Sequence, residues 1–372
     1  MSKQSALNTI IQAIHATNIK IVLVSSGGGT NAIASFLRQP GASNTILESY
    51  IPYSRESLAH YLLRKPEQYC SLDTTLSMAA KAFSAAKKID TTSKNTLLYG
   101  IGITASLATL DDKKGDHRFH IVIQGQKFSK SISCILKKGL RTREEEESLI
   151  TEYVIYLVAE VSGLKYEMPK HQETPEISNV IANKDWIKLM DHKIDFVSSS
   201  KLIPEIIFPG RFNPIHSGHF EMKQLAENKT GMQVSFEICI QNADKPPMSY
   251  HEIQDTLSQF TETENWVLTK AGMFIDKARM FPNCVFIIGA DTLVRILDEK
   301  FYSSRKDMMN QLDLFNAFNN NFLVFGRKIG KKFITLSEVN LPDHIANRFT
   351  GFAEDVFRDD ISSTILRQEK IE

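Results

Sequence analysis

The amino-acid sequence predicts an α/β protein with two α/β domains. Short apolar, β-branched runs alternate with stretches of helical periodicity, and this pattern weakens once, between residues 163 and 200, before it starts again. All-apolar strands separated by helices are typical of a parallel sheet covered on both faces. A chain of 372 residues is also long enough for two domains. We therefore predict domains over residues 1–165 and 203–372, joined by a linker over 166–202 with one short helix around Lys184–His192.

The composition favours a soluble, cytoplasmic protein that has no general attraction for nucleic acid or membranes. With 44 basic and 43 acidic residues the net charge is +1, so no overall field attracts nucleic acid or an acidic membrane. The sequence contains neither a leader-like segment nor a run of 18 apolar residues, which argues against secretion and against a membrane span. The four cysteines are widely spaced, which predicts reduced thiols. The composition leaves open whether the chain forms a homo-oligomer.

The first predicted domain opens with a strand, a glycine loop and a helix. The β-branched run IKIVLVSS leads into Gly27–Gly29, and NAIASFLRQ continues at helical spacing. Further strands are predicted for NTLLYGIGIT, HRFHIVIQG and SKSISCILKKG. Thr142 followed by Glu144–Glu147 predicts a capped helix start with acidic residues in its first turn. We interpret this acidic run as a solvated helix terminus rather than as an interaction patch.

The strongest chemical signal is the segment GRFNPIHSGH, residues 210–219, which follows a predicted strand and precedes a predicted helix. Gly210 and Gly218 would let backbone N–H groups approach a phosphate, at which the following helix would point its positive end. His216 and His219 would donate hydrogen bonds to the charge that develops on an α-phosphate and on a leaving pyrophosphate. Such chemistry depends on positioning and electrostatics and needs no covalent nucleophile.

Two simpler interpretations of this segment carry less weight. Two histidines three residues apart are half of a metal site, but no third ligand with suitable spacing lies nearby in the sequence, so we predict no metal ligands here. An incidental Gly/Pro turn would not bring so many suitable residues together in ten positions between a buried strand and a helix.

GRFNPIHSGH resembles the signature of the HxGH nucleotidylyltransferase superfamily, and especially that of the nicotinamide mononucleotide adenylyltransferases. A second segment, DISSTILR at residues 360–367, resembles the ISSTxxR phosphate-binding motif of that family, and FIIGADT and FLVFGRK resemble its nucleotide-contacting strands. The resemblance covers residues 203–372. It implies a Rossmann-like nucleotidylyltransferase parallel sheet, with ATP, its Mg²⁺ and a mononucleotide as the small-molecule partners.

The resemblance also implies roles for individual residues. The implied catalytic residues are His216, His219 and Arg367. The implied nucleotide-binding residues are Gly210, Phe212, Asn213, Gly218, Gly289, Asp291, Arg327, Ser362, Ser363 and Thr364. Trp266 and Lys245 are candidates for binding the acceptor, although a core tryptophan and an ordinary loop lysine are equally good interpretations of them.

The acceptor is not fixed by these motifs. The ISSTxxR form and GADT favour transfer of AMP from ATP to nicotinamide or nicotinic acid mononucleotide, with release of pyrophosphate. One alternative is cytidylyl or adenylyl transfer to another phosphorylated metabolite. A second alternative is a non-catalytic nucleotide-binding or scaffold protein.

Residues 18–162 resemble a divergent nicotinamide-nucleotide amidase domain, also known as the C-terminal domain of the competence-damage-inducible proteins. VSSGGGTNAIA, IPYSRES and GIGITASLA carry this resemblance. Ser26 and Tyr53 match the nucleophile and the tyrosine of the active family, but Leu58 stands where that family has its lysine. Because a serine hydroxyl without a base is a poor nucleophile, we expect the amidase activity to be lost. The roles that remain for this domain are assembly, nucleotide binding through Gly27–Gly29, or neither of these. Its pairing with an adenylyltransferase-like domain favours pyridine-nucleotide chemistry.

Overall fold

The computed structural model describes residues 3–111, 113–241, 245–330, 332–359, 363 and 366–367. The chain divides into two compact units. The first comprises Met1–Ile187 with Ala243–Gln254, and the second comprises Lys188–Asn242 with Asp255–Glu372. Among the described residues, none of the helices combines the length and the apolar composition needed to cross a bilayer.

The first unit contains a six-stranded mixed sheet. In chain order its strands are β1 (Lys20–Ser26), β2 (Ile46–Tyr50), β3 (Leu98–Ser106), β4 (His117–Gly125), β5 (Phe128–Leu136) and β6 (Glu176–Ile181), and its helices are α1 (Lys3–His15), α2 (Thr30–Leu37), α3 (Arg55–Leu62), α4 (Leu72–Ile89) and α5 (Arg143–Val161). The spatial order is β2-β1-β3-β4-β5-β6. β1 runs parallel to β2 and β3, whereas β3 to β6 pair antiparallel.

Local sequence explains how this unit packs. Gly100 and Gly102 let α4 lie directly on β3, since a Cβ at Gly100 would stand 2.0 Å from the backbone nitrogen of Phe83. The predicted start of α5 is confirmed: the hydroxyl of Thr142 accepts from the N–H of Glu145, whose carboxylate accepts from the N–H of Thr142. α5 then buries its apolar face in the main core of the unit.

The second unit has a Rossmann-like sheet, as predicted. Its strands are β7 (Phe196–Ser198), β8 (Ile206–Gly210), β9 (Val234–Cys239), β10 (Asn265–Thr269), β11 (Val285–Gly289), β12 (Asn321–Phe325) and β15 (Phe349–Gly351), with the separate hairpin β13 (Arg327–Ile329) and β14 (Lys332–Ile334). The spatial order is β15-β12-β11-β8-β9-β10-β7, with every neighbouring pair parallel except β10 and β7. The order reverses between β8 and β11, and ligands of open α/β sheets bind outside the carboxyl ends of the strands at such a point.

Seven further α-helices lie in the part of the chain that the structure describes. They are α6 (Lys184–Met190), α7 (Ser217–Thr230), α8 (Tyr250–Leu257), α9 (Phe274–Met280), α10 (Ala290–Ile296), α11 (Arg305–Ala317) and α12 (Asp343–Ala346). The helix predicted to follow the GRFNPIHSGH segment is confirmed, since α7 begins at Ser217.

The predicted domain limits differ from these units in two respects. The segment 166–202, interpreted as a linker, contains α6 but also supplies β6 to the first sheet and β7 to the second. Residues 243–254 belong to the first unit, where the Tyr250 hydroxyl donates to the carbonyl of Gln126 at 2.7 Å and the Trp186 ring stacks on Tyr250. Edge strands such as β6, with most side chains exposed, carry little of the apolar signal by which strands are predicted.

Candidate active site

The loop between β8 and α7 is the centre of the predicted site, and it lies at the carboxyl end of β8. The Gln259 side chain fixes this loop: its amide N–H donates to the carbonyl of Phe212 at 2.9 Å, and its carbonyl accepts from the N–H of Ile215 at 2.9 Å. Phe212 adopts a left-handed backbone with φ of 47° and buries its ring. Because a Cβ at Gly210 would stand 2.5 Å from that ring, the loop requires glycine at this position.

His219 has one ring nitrogen fixed by the backbone. Its Nδ1 accepts a hydrogen bond from the N–H of His216 at 3.2 Å. Burial, together with the neighbouring His216 and Arg327, lowers the pKa of His219 to about 3. At neutral pH the ring is therefore uncharged, and since Nδ1 accepts, its proton resides on Nε2. His219 thus offers one N–H donor from a ring held in a fixed orientation.

His216 forms the amino-terminal cap of α7 and packs its ring against His219, with ring centroids 3.8 Å apart. Its Nδ1 is buried, has no hydrogen-bond partner in the described part of the chain, and lies 3.7 Å from Oδ2 of Asp359. Burial lowers the pKa of His216, the Asp359 carboxylate acts in the opposite direction, and Arg327 lowers it further. The two histidine rings therefore form one buried, polar surface at the start of α7.

Gly289, Asp291 and Arg327 meet at the ends of the adjacent strands. A Cβ on Gly289 would stand 2.3 Å from Oδ1 of Asp291 and 3.0 Å from Cγ of Arg327, so glycine is needed where these two side chains approach the end of β11. The Arg327 guanidinium is near enough to the histidines to lower both of their pKa values. The structure thus brings a carboxylate and a guanidinium to the carboxyl edge of the sheet beside the β8–α7 loop.

The C-terminal motif is partly described. The Ser363 hydroxyl donates to the carbonyl of Pro214 at 2.9 Å, and Nη1 of Arg367 donates to the carbonyl of Asn213. Ser362 and Thr364, the other predicted phosphate-binding residues of this motif, lie outside the described residues. Two side chains of the second motif therefore contact the loop of the first motif, about 150 residues earlier in the chain.

Comparison with known proteins agrees with this geometry. Residues 207–369 match the family model described as Cytidylyltransferase-like. The C-terminal region of this chain is a cytidylyltransferase-like domain. A Schizosaccharomyces pombe protein named "Putative nicotinamide mononucleotide adenylyltransferase" is 31% identical over 139 residues, which cover 34% of this chain and 54% of that protein. The chain thus spans about half the length of this curated relative.

The N-terminal region resembles competence-damage proteins of known structure. The competence/damage inducible protein CihA from Agrobacterium tumefaciens is 13% identical, with a TM-score of 0.35 over 42% of this chain and 94% of that chain. A CinA superfamily protein from Klebsiella pneumoniae is 14% identical, with a TM-score of 0.33 over 44% of this chain and 97% of that chain. Likenesses at these scores support no conclusion about activity.

Of the two predicted acceptor residues, Trp266 belongs to the second unit and Lys245 to the first. Trp266 is the second residue of β10, and its backbone N–H donates to the Ser199 hydroxyl at 2.9 Å. Trp266 pairs with Phe236 of β9. Two residues further along β9, Ile238 pairs with Gly210 at the carboxyl edge of the cytidylyltransferase-like sheet. Lys245 belongs to the first unit. Their role in acceptor binding stays a prediction.

Three features of the cytidylyltransferase-like domain were not predicted from the sequence. Gln259 and Asp359 contact the motif loop and α7 from distant parts of the chain, and nothing in their local sequence marks them, apart from the proximity of Asp359 to the second motif. Glu237 and Lys277 form a buried ion pair with two 2.7 Å contacts, and the Thr269 hydroxyl also donates to Glu237. The only local signal for this pair is an acidic residue inside an otherwise apolar strand.

The structure shows the surroundings of the residues in the first unit that match the amidase site. The Ser26 hydroxyl is buried and donates to the carbonyl of Pro52 at 2.9 Å. Tyr53 is 65% exposed, while Leu58 is 1% exposed and packs in an apolar cluster against α4. The position of the missing lysine is therefore part of the core, and the Ser26 hydroxyl is bonded to the backbone.

The glycine loop is held by charged side chains of α5. The Gly29 N–H donates to the Glu147 carboxylate at 2.8 Å, and Nη2 of Arg143 donates to the carbonyl of Gly27 at 3.0 Å. A carboxylate on this N–H repels an anion, which argues against phosphate binding by Gly27–Gly29.

The interpretation of the acidic run as a solvated helix terminus was wrong for Glu146. This residue is fully buried, accepts from the N–H of Ala108 at 2.7 Å and lies 2.7 Å from Nδ1 of His117. The reason is that the loop between β3 and β4 covers the first turn of α5, so the Glu146 carboxylate accepts a hydrogen bond from the backbone of that loop.

Among the described residues, no three His, Cys, Asp or Glu side chains are grouped so as to hold a metal ion.

Proposed function

We propose that the cytidylyltransferase-like domain transfers AMP from ATP to nicotinamide or nicotinic acid mononucleotide and releases pyrophosphate. The observation that carries this proposal is the pair His216 and His219 at the start of α7, beside the point where the strand order reverses. A helix amino terminus with fixed side-chain donors favours a bound phosphate. The acceptor is proposed from the activity after which the Schizosaccharomyces pombe relative is named.

The chemistry is an in-line displacement at the α-phosphorus. An oxygen of the acceptor phosphate forms a bond to this phosphorus, and the bond from phosphorus to the bridging oxygen of pyrophosphate breaks. His219 donates from Nε2 to the negative charge that develops in the transition state, because its Nδ1 is already bonded to the backbone. One preorganised donor of this kind contributes about 10²–10³ in rate.

The other residues at the carboxyl edge of the sheet would contact different parts of the nucleotide. Arg327, on the side of the loop opposite β9, suits the triphosphate, and Arg367 with Ser363 suits its β- and γ-phosphates from the C-terminal side. A guanidinium presents five donors, so Arg367 keeps donors available beyond its bond to the Asn213 carbonyl. Asp291 suits the hydroxyls of the nucleoside. Mg²⁺ enters with ATP as part of the substrate and neutralises phosphate charge.

The first unit is proposed to lack amidase activity. Support comes from Ser26, whose hydroxyl is bonded to a backbone carbonyl, and from Leu58, whose position lies in the apolar core. A serine hydroxyl without a base to accept its proton is a poor nucleophile, and Leu58 cannot serve as that base.

The experiment compares two isosteric variants of His219 by pyrophosphate release with Mg-ATP and each mononucleotide. A glutamine amide N–H reaches the position of Nε2, whereas an asparagine carbonyl replaces only the Nδ1 acceptor. We expect His219→Asn to lower kcat about 10²–10³-fold and His219→Gln to lower it much less. His344→Gln, a partly exposed histidine of the same unit, serves as the control. Equal losses in the two His219 variants would contradict the role of Nε2, and no turnover of either mononucleotide by the unmodified protein would exclude the proposed acceptors.

A further inference from the structure

A carboxylate lies where the proposed function requires an anion to bind. Oδ2 of Asp359 is 3.7 Å from the buried Nδ1 of His216, and only 9% of the Asp359 side chain is exposed. A Cβ on Gly218, in the first turn of α7, would stand 1.5 Å from the same oxygen. Glycine at 218 is therefore required by the Asp359 side chain already in place.

This carboxylate creates an electrostatic conflict with a bare triphosphate. The start of α7 and Arg327 attract anions, but Asp359 carries the same sign of charge as a phosphate and is shielded from water. Two such groups are accommodated together when a cation lies between them. Mg²⁺ in nucleotide sites is typically held by one or two carboxylates together with substrate phosphates and water, and it does not need a cage made entirely of protein ligands.

We propose that Asp359 is the protein contact for the Mg²⁺ of Mg-ATP and makes the site selective for the magnesium-bound triphosphate over the free one. The inference rests on the proposed function, since it assumes that the α7 terminus receives ATP. The buried Nδ1 of His216, which has no hydrogen-bond partner among the described residues, is a second polar group directed at the same place. A single carboxylate is sufficient for a cation that brings most of its ligands with the substrate.

The test measures nucleotide binding rather than turnover. Calorimetric titration with ATP, without an acceptor, is carried out in excess Mg²⁺ and again in EDTA. We expect the unmodified protein to bind Mg-ATP about tenfold or more tighter than free ATP. Asp359→Asn should bind Mg-ATP more weakly and free ATP more tightly, so that the ratio approaches one. Asp355→Asn, an exposed aspartate of the same segment, should keep the unmodified ratio.

Each other outcome is informative. If Asp359→Asn keeps the unmodified ratio, the proposal is overturned. If this variant binds both forms more tightly, Asp359 only competes with phosphate, which also overturns it. If the unmodified protein binds neither form, the proposed function itself fails. Asp359→Ser, which removes the charge in a smaller side chain, should reproduce the result of Asp359→Asn, and equal urea midpoints of the variants show that folding is unchanged.

Discussion

Acidification should destabilise the second unit through His219. Its pKa in the folded protein is about 3, below the ordinary value of 6.5, because burial disfavours the charged ring. Between these pH values the unfolded chain binds a proton that the folded chain does not, so this contribution to stability is complete above about pH 6.5 and is lost as the pH falls toward 3. The two pKa values give a loss of about 2 kcal/mol between pH 7.5 and pH 5.

The assay is urea unfolding at these two pH values, followed by tryptophan fluorescence. The chain has two tryptophans, so a Trp186→Phe background leaves Trp266, in β10 of the second unit, as the reporter. His219→Asn keeps an acceptor for the N–H of His216 but cannot be protonated. We expect this variant to lose about 2 kcal/mol less than its parent on acidification. Equal losses in parent and variant would refute the assignment of a neutral His219, and His344→Asn serves as the control for a histidine elsewhere in the unit.

Two further predictions concern charge in the cores of the units. Lys277→Met should lower the free energy of unfolding of the second unit by about 3–5 kcal/mol, because it leaves the buried Glu237 carboxylate without its partner. In urea denaturation, adding Glu237→Gln to this variant should recover part of the lost stability. No recovery would argue against the ion pair. Leu58→Lys restores the lysine of the amidase family but should yield no deamidation of nicotinamide mononucleotide, because Ser26 stays bonded to a backbone carbonyl. The same substitution should destabilise the first unit by about 3 kcal/mol or more, because it buries a charge in the apolar core. Deamidation by this variant would show that Ser26 can be activated.

The histidines of the candidate site were predictable because their signal is local. A strand, a glycine-rich turn and a helix within about 25 residues identify the loop, and the structure has β8, the loop and α7 in that order. The start of α5 was predictable for the same reason, since Thr142 and Glu145 are three residues apart. Within residues 166–202 the short helix around Lys184–His192 was predicted, and α6 confirms it. The strands β6 and β7 were missed because they are edge strands whose side chains are largely exposed or half-buried.

From the sequence alone, the strands and helices around the motifs and the candidate phosphate-binding residues could be predicted, because periodicity and turn composition act over neighbouring residues. Only the tertiary structure decided what those residues can do. It fixed the proton of His219 on Nε2, brought Asp359 to within 3.7 Å of His216 from 143 positions away, and buried Glu146 under the β3–β4 loop. Burial and long-range hydrogen bonds set charge and tautomer, and they arise from contacts between segments that are far apart in the chain.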